Sequence, residues 1–232
     1  MSDARADDRI TGAALTGSTS VGRDDRWSDI DLAVSVAPGV DQAELISDWT
    51  ARLYADHAAV THLDLRRGAT VYRVYLLDST LQVDIAFSPA AEFGAIGATF
   101  QLLFGAANPP RPAPEPTAAD LIGMGWLYAL HARSSIERGR VWQAEYMISG
   151  IRDHVLSLAC VRHGLPATQG RGVDRLPTTV TDNIEATLVH APEPMELRRA
   201  FRAATVALRT EIGYADAALA ERLAAPLREL AG

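Results

Sequence analysis

Near its start the chain reads Leu15-Thr16-Gly17-Ser18 and then, after ten residues, Asp29-Ile30-Asp31-Leu32. Side chains alternate along a strand. Ile30, Leu32, Val34 and Val36 therefore share one face, while Asp29 and Asp31 share the other. Neighbouring carboxylates repel unless a cation lies between them, and hard oxygen ligands suit Mg²⁺. A second alternating run, Leu81 to Phe87, places Leu81, Val83, Ile85 and Phe87 on one face and Gln82, Asp84 and Ala86 on the other. Laid beside the first strand, it adds Asp84 to the pair. Three carboxylates can hold two Mg²⁺ ions roughly 3.5–4 Å apart and clamp the attacking and leaving oxygens of a phosphoryl centre.

The turn supplies the complementary half. Glycine lets the backbone bend and approach a ligand closely. Backbone N–H groups at such a turn bind phosphate, and Ser18 adds a hydroxyl donor. Gly17 and Ser18 are expected to hold the β- and γ-phosphates of a nucleoside triphosphate, the part that leaves as pyrophosphate. A Gly-Ser pair or an Asp-x-Asp by itself is a common turn or strand end. The ordered set with Asp84 carries the chemistry.

The run from Gly17-Ser18 to Ser28-Asp29-Ile30-Asp31-Leu32 resembles the signature of the DNA polymerase β-like nucleotidyltransferase superfamily. Within it the chain is similar to the antibiotic nucleotidyltransferases that act on aminoglycosides and lincosamides. The motifs cover about residues 12–87, and beyond them only the layout is similar. The resemblance implies that Asp29 and Asp31 bind both metals, that Asp84 binds the catalytic one, and that Ser28 belongs to the nucleotide side of the site. All 22 basic residues are arginines. Any lysine that a relative places on the triphosphate must therefore be replaced, and Arg23 or Arg26 in the loop would serve, since a guanidinium fits phosphate well.

Transfer to a hydroxyl needs a base or an orienting carboxylate. Asp84 is one candidate, acting through the metal site. Glu145 is the other. Glu145, Ser149 and Arg152 fall at i, i+4 and i+7 and form one polar helical stripe. Trp142 and Tyr146 flank that stripe and could stack on a ring or sugar. The family resemblance implies that a glutamate from a helical domain completes the site, and Glu145 suits that role. A solvated helix face with a weak Glu–Arg pair is the simpler alternative.

The chain has 232 residues, 48% of them hydrophobic, and a net charge of −7. That balance argues against a nucleic-acid grip and is compatible with a cationic acceptor. Cys160 is the single cysteine, with the apolar surroundings of a helix core, so no intramolecular disulfide forms. The six histidines show no metal-ligand spacing, which argues against zinc. No membrane-length apolar run and no leader pattern is read, so a cytoplasmic protein is expected.

The elements that must position these residues follow from periodicity. Residues 1–105 read as an α/β (α+β) nucleotidyltransferase domain with a mixed sheet. It has a short helix over 2–11, strands at 13–16 and 30–36, a helix over 41–57, a meander of strands at 60–65, 70–77 and 81–87, and a helix over 90–104. Residues 106–118 form a proline-rich linker. Residues 119–232 read as an all-α helical bundle with helices over 120–138, 142–163, 178–190, 193–214 and 215–230. The bundle is expected to bind the acceptor.

The expectation is an Mg²⁺-dependent enzyme, monomer or homodimer. It moves an NMP, by default AMP from ATP, to a hydroxyl of a small molecule such as an aminoglycoside or lincosamide. The alternatives are a protein-modifying nucleotidyltransferase of the antitoxin type and a non-catalytic nucleotide-binding module.

Overall fold

The alternating runs of the first hundred residues pair into one mixed sheet. The computed structural model describes residues 2–232. In chain order the first part comprises helix α1 (Ser2–Ala6), strands β1 (Ile10–Thr16) and β2 (Ile30–Val36), helix α2 (Gln42–Asp56) and strands β3 (Ala59–Arg67), β4 (Thr70–Leu77), β5 (Gln82–Pro89), β6 (Gly94–Ile96), β7 (Phe100–Phe104) and β8 (Asn108–Arg111). Among the described residues the main sheet has six strands in the order β3-β4-β5-β2-β1-β7. Its central pair, β2 and β5, is parallel, and its other pairs are antiparallel.

Helix α2 starts where Asp41 accepts hydrogen bonds from the N–H groups of Ala43 (2.9 Å) and Glu44 (3.3 Å), which satisfies donors that a helix start leaves open. Leu45, Ile46, Trp49 and Leu53 recur at helical spacing and are buried. They form one core with Val34 and Val36 of β2 and Val83, Ile85 and Phe87 of β5. The large apolar face predicted for both strands is thus the face under α2. Opposite it, Ala14, Ala33 and Ala86 pack with Phe93 in a second cluster of mostly small residues, partly covered by Tyr72 and Phe100.

Three stretches of this first part depart from the sequence reading, the first being the helix expected over 2–11, which ends at Ala6 and gives way to β1 from Ile10. The helix expected over 90–104 is replaced by β6 and β7. The apolar run there fits either period, and Gly94 and Gly97, the latter at φ +80°, disfavour a helix. Strand β1 would otherwise expose an unpaired edge, and β7 covers it, with Ala14 opposite Leu102. Part of the proline-rich stretch is also a strand. β8 pairs in parallel with β6, at a sheet edge where proline is tolerated.

The chain divides into two compact units, Met1–Ala113 and Pro114–Gly232. The second contains α3 (Ala118–Glu137), α4 (Val141–Arg162), α5 (Thr178–Glu185), α6 (Pro194–Ala215) and α7 (Ala217–Ala231). Its core joins Ile148, Ile151 and Val155 of α4 to Leu197, Phe201, Leu208 and Ile212 of α6, with Leu227 of α7. Two glycines let helices approach closely: a Cβ at Gly125 would meet Leu208, and one at Gly150 would meet the Tyr128 ring. Among the described residues no helix is long and apolar enough to cross a membrane.

Candidate active site

Parallel pairing of β2 with β5 sets the register that builds the site. Asp31 lies directly opposite Asp84, with Ile30 opposite Val83 and Leu32 opposite Ile85. Val83, Ile85 and, partly, Leu32 pack in the core under α2, so by alternation the two carboxylates emerge on the other face. Asp29 precedes β2 and joins them. One carboxylate oxygen from each of Asp29, Asp31 and Asp84 lies within 4.8 Å of the others, and all three residues are half-buried. Two oxygens on one Mg²⁺ lie at most about 4.2 Å apart, so small side-chain rotations bring the set onto an ion. Three hard, anionic donors without sulfur or imidazole match that metal.

Gln82 stands two residues before Asp84 on the same face. Its amide Nε2 donates to Asp84 Oδ1 at 3.0 Å and to Asp29 Oδ2 at 3.4 Å. Burial raises the Asp84 pKa above the ordinary aspartate value, the Gln82 hydrogen bond lowers it, and the nearby charge of Asp29 raises it again. The net direction is upward, as expected for a partly desolvated carboxylate beside a like charge. The sequence placed Gln82 on this face but gave it no role. The usable signal was an amide on a strand face otherwise made of carboxylate and alanine.

The turn after β1 abuts this cluster. Gly17 sits at φ +62°, and a Cβ built on it would overlap the Asp31 carboxylate. Only glycine meets both the backbone angle and this closeness. Ser20 Oγ donates to the Gly17 carbonyl at 2.8 Å, and a single 3₁₀ turn, Thr19–Val21, follows Ser18. The turn is therefore ordered by its own hydroxyl and held against a cluster carboxylate.

The other loop residues have local partners. Ser28 Oγ accepts from the Asp25 N–H at 2.9 Å and donates to the Asp25 carboxylate at 3.3 Å, closing the loop. The Arg26 guanidinium lies over the Trp27 ring, 4.0 Å from its centroid. Arg23 and Arg26 are both exposed.

Glu145 belongs to the second unit. There the expected polar stripe forms a continuous chain. Ser149 Oγ donates to Glu145 Oε1 at 2.7 Å, and Arg152 Nη2 donates to Ser149 Oγ at 2.8 Å. Trp142 and Tyr146 on the same helix are 72% and 63% exposed, so their rings face solvent rather than the core. Cys160 is buried, and burial pushes its thiol pKa up, which fits a packing residue.

The polar pair of β3 and β4, Asp64 and Arg73, lies elsewhere. Arg73 donates to both oxygens of Asp64, at 2.6 and 2.7 Å, and to Thr50 of α2 at 2.7 Å. Arg73 is registered with Ile85, so this pair occupies the face away from Asp84. The Arg73 hydrogen bond lowers the Asp64 pKa.

No protein-family model matches the chain, and no curated protein matches it. Among solved structures, it is similar to an aminoglycoside 6-adenyltransferase from Bacillus subtilis, at 11% identity over 98% of this chain and 94% of that chain, with a TM-score of 0.44.

Proposed function

We propose that the chain is a divalent-metal-dependent nucleotidyltransferase that transfers an NMP from a nucleoside triphosphate to a hydroxyl of a small acceptor. The observation that carries this reading is the convergence of Asp29, Asp31 and Asp84, from neighbouring parallel strands, beside the positive-φ turn at Gly17. The three carboxylates would hold Mg²⁺, which when bound polarises the α-phosphate and lowers the pKa of the attacking hydroxyl. The Gly17-Ser18 turn receives the β- and γ-phosphates through backbone N–H groups and the Ser18 hydroxyl. Arg23, Arg26 and Ser28 on the following loop contact the triphosphate, and ATP is the default donor.

The helical unit binds the acceptor. Trp142 and Tyr146 offer exposed rings for stacking, and Glu145 and Arg152, linked through Ser149, offer opposite charges for a polyhydroxylated or cationic molecule. Glu145 accepts the hydrogen bond that orients the attacking hydroxyl. An aminoglycoside or lincosamide fits this description, and the family resemblance in the motifs favours one.

The test is pyrophosphate release from each of the four common NTPs with Mg²⁺, across a panel of aminoglycosides and lincosamides. Release that depends on acceptor and metal is expected. NTP–Mg²⁺ binding without release for any acceptor in the panel would overturn the acceptor class, and absence of NTP–Mg²⁺ binding would overturn the reaction.

A further inference from the structure

Within the helical unit, α4, α5 and α6 line a cavity of about 700 Å³. That lies in the range of small-molecule sites, about 300–1,000 Å³. Short side chains open the space: Ala203 and Ala207, one turn apart on α6, line it together with Val180 of α5. Val206 also lines it and is 54% exposed, an apolar β-branched side chain left in the open.

The charges around this apolar floor do not cancel. Arg162 is held in place by Glu211, with bonds of 3.0 and 2.8 Å, and by the Tyr214 ring 4.3 Å from its guanidinium carbon. Arg199 is likewise spent, on Glu196 and on the carbonyls of Ala186 and Leu188. Arg202 and the His163 ring line the same cavity and make no hydrogen bond or ion pair among the described residues. The cavity thus presents one surplus guanidinium, that of Arg202, with the His163 ring as a further polar group, in a chain of net charge −7.

We infer that this cavity is a binding site, distinct from the carboxylate cluster, for a small organic anion with an apolar body. The head group, a carboxylate or a phosphate ester, is taken by the Arg202 guanidinium, whose planar fork suits either, with His163 alongside. The apolar body lies over Ala203, Ala207 and Val206.

The test uses the full chain and the fluorescent anion 8-anilinonaphthalene-1-sulfonate. Saturable one-site binding is expected, with displacement by decanoate or decyl phosphate and none by decyltrimethylammonium. The better of the two displacers identifies the head group. Arg202→Glu, a change at an exposed position, should weaken binding at least about tenfold, the equivalent of about 1.4 kcal/mol, with melting temperature unchanged. Ala203→Phe should fill the space and remove binding. Non-saturable binding, equal displacement by the cationic amphiphile, or unchanged affinity in Arg202→Glu would each overturn the proposal.

Discussion

On the α2 side of the sheet, structural carboxylates meet guanidinium groups. Asp7 is bonded by Arg9 at 2.9 and 3.0 Å and by the Trp49 indole at 3.1 Å, and Asp64 is bonded twice by Arg73. On the opposite face, Asp29 and Asp84 share the neutral amide of Gln82. The consequences for proton affinity are opposite. Hydrogen bonding from Arg9 holds the Asp7 carboxyl down at about 2, and the Asp64 carboxyl is also lowered, whereas burial pushes Asp84 up. A carboxylate that holds the fold together is neutralised by a fixed cation. Asp84 has instead a neutral amide and a like-charged carboxylate beside it, and carries an electrostatic cost that no fixed cation offsets.

Neutralising the cluster should have the largest effect. Asp29→Asn or Asp31→Asn should reduce nucleotidyl transfer at least about a thousandfold, the equivalent of several kcal/mol of lost charge stabilisation. In Asp84→Asn the same loss should come with an unchanged or higher melting temperature in metal-free buffer, because a partly buried charge is removed. Wild-type turnover in any of the three would end the catalytic reading.

Gly17→Ala tests the turn. The added methyl overlaps the Asp31 carboxylate at a backbone angle disfavoured for alanine. A loss of about 1–3 kcal/mol in denaturant unfolding is expected, with weaker NTP binding by calorimetry. Full stability with normal binding would show that the turn and carboxylate do not meet.

Asp7→Ala tests the opposite face and should cost about 2 kcal/mol in urea unfolding without changing metal affinity. Its pH dependence has a definite sign. The folded pKa of about 2 lies below that of an unfolded aspartate. Asp7 therefore adds stability above about pH 4, which fades as the pH falls toward 2. Asp84 acts in the other direction: its raised folded pKa means that acidification relieves a cost. The Asp7→Ala variant should accordingly lose less stability than wild type on acidification.

The smallest effect is reserved for Gln82→Ala. It should change Mn²⁺ affinity by about tenfold, the scale for groups that orient a metal ligand, with the melting temperature nearly unchanged. No change in affinity would reduce Gln82 to a surface amide.

Periodicity and turn chemistry made most elements legible in the sequence. Helical spacing put α2 and α3 within two residues of their observed bounds, and in the structure Asp41 and Thr117 cap their starts. The alternation of β2 and β5 assigns their core faces through Val34, Val36, Ile85 and Phe87, because burying one face of a period-two element leaves only one arrangement. The polar chain from Glu145 to Arg152 is similarly local, since residues four and three apart on a helix are neighbours. Residues 90–104 show the limit. Their apolar content fits either period, and an unpaired edge of β1, eighty or more residues earlier in the chain, decided for strand.

The site divides along the same line. Local pattern alone shows that Asp29 and Asp31 share a face, that a glycine turn precedes them, and that every permanently cationic side chain is an arginine. Only the tertiary structure decided that β5 lies against β2 in the register that sets Asp84 opposite Asp31. It alone placed the Gln82 amide between two carboxylates, pressed Asp31 against Gly17, and sent Asp64 to the other face with Arg73. The physical reason is range. Alternation, capping and helical stripes arise between residues a few positions apart. Strand pairing between residues 31 and 84 is chosen by the burial of whole faces, which no local pattern encodes.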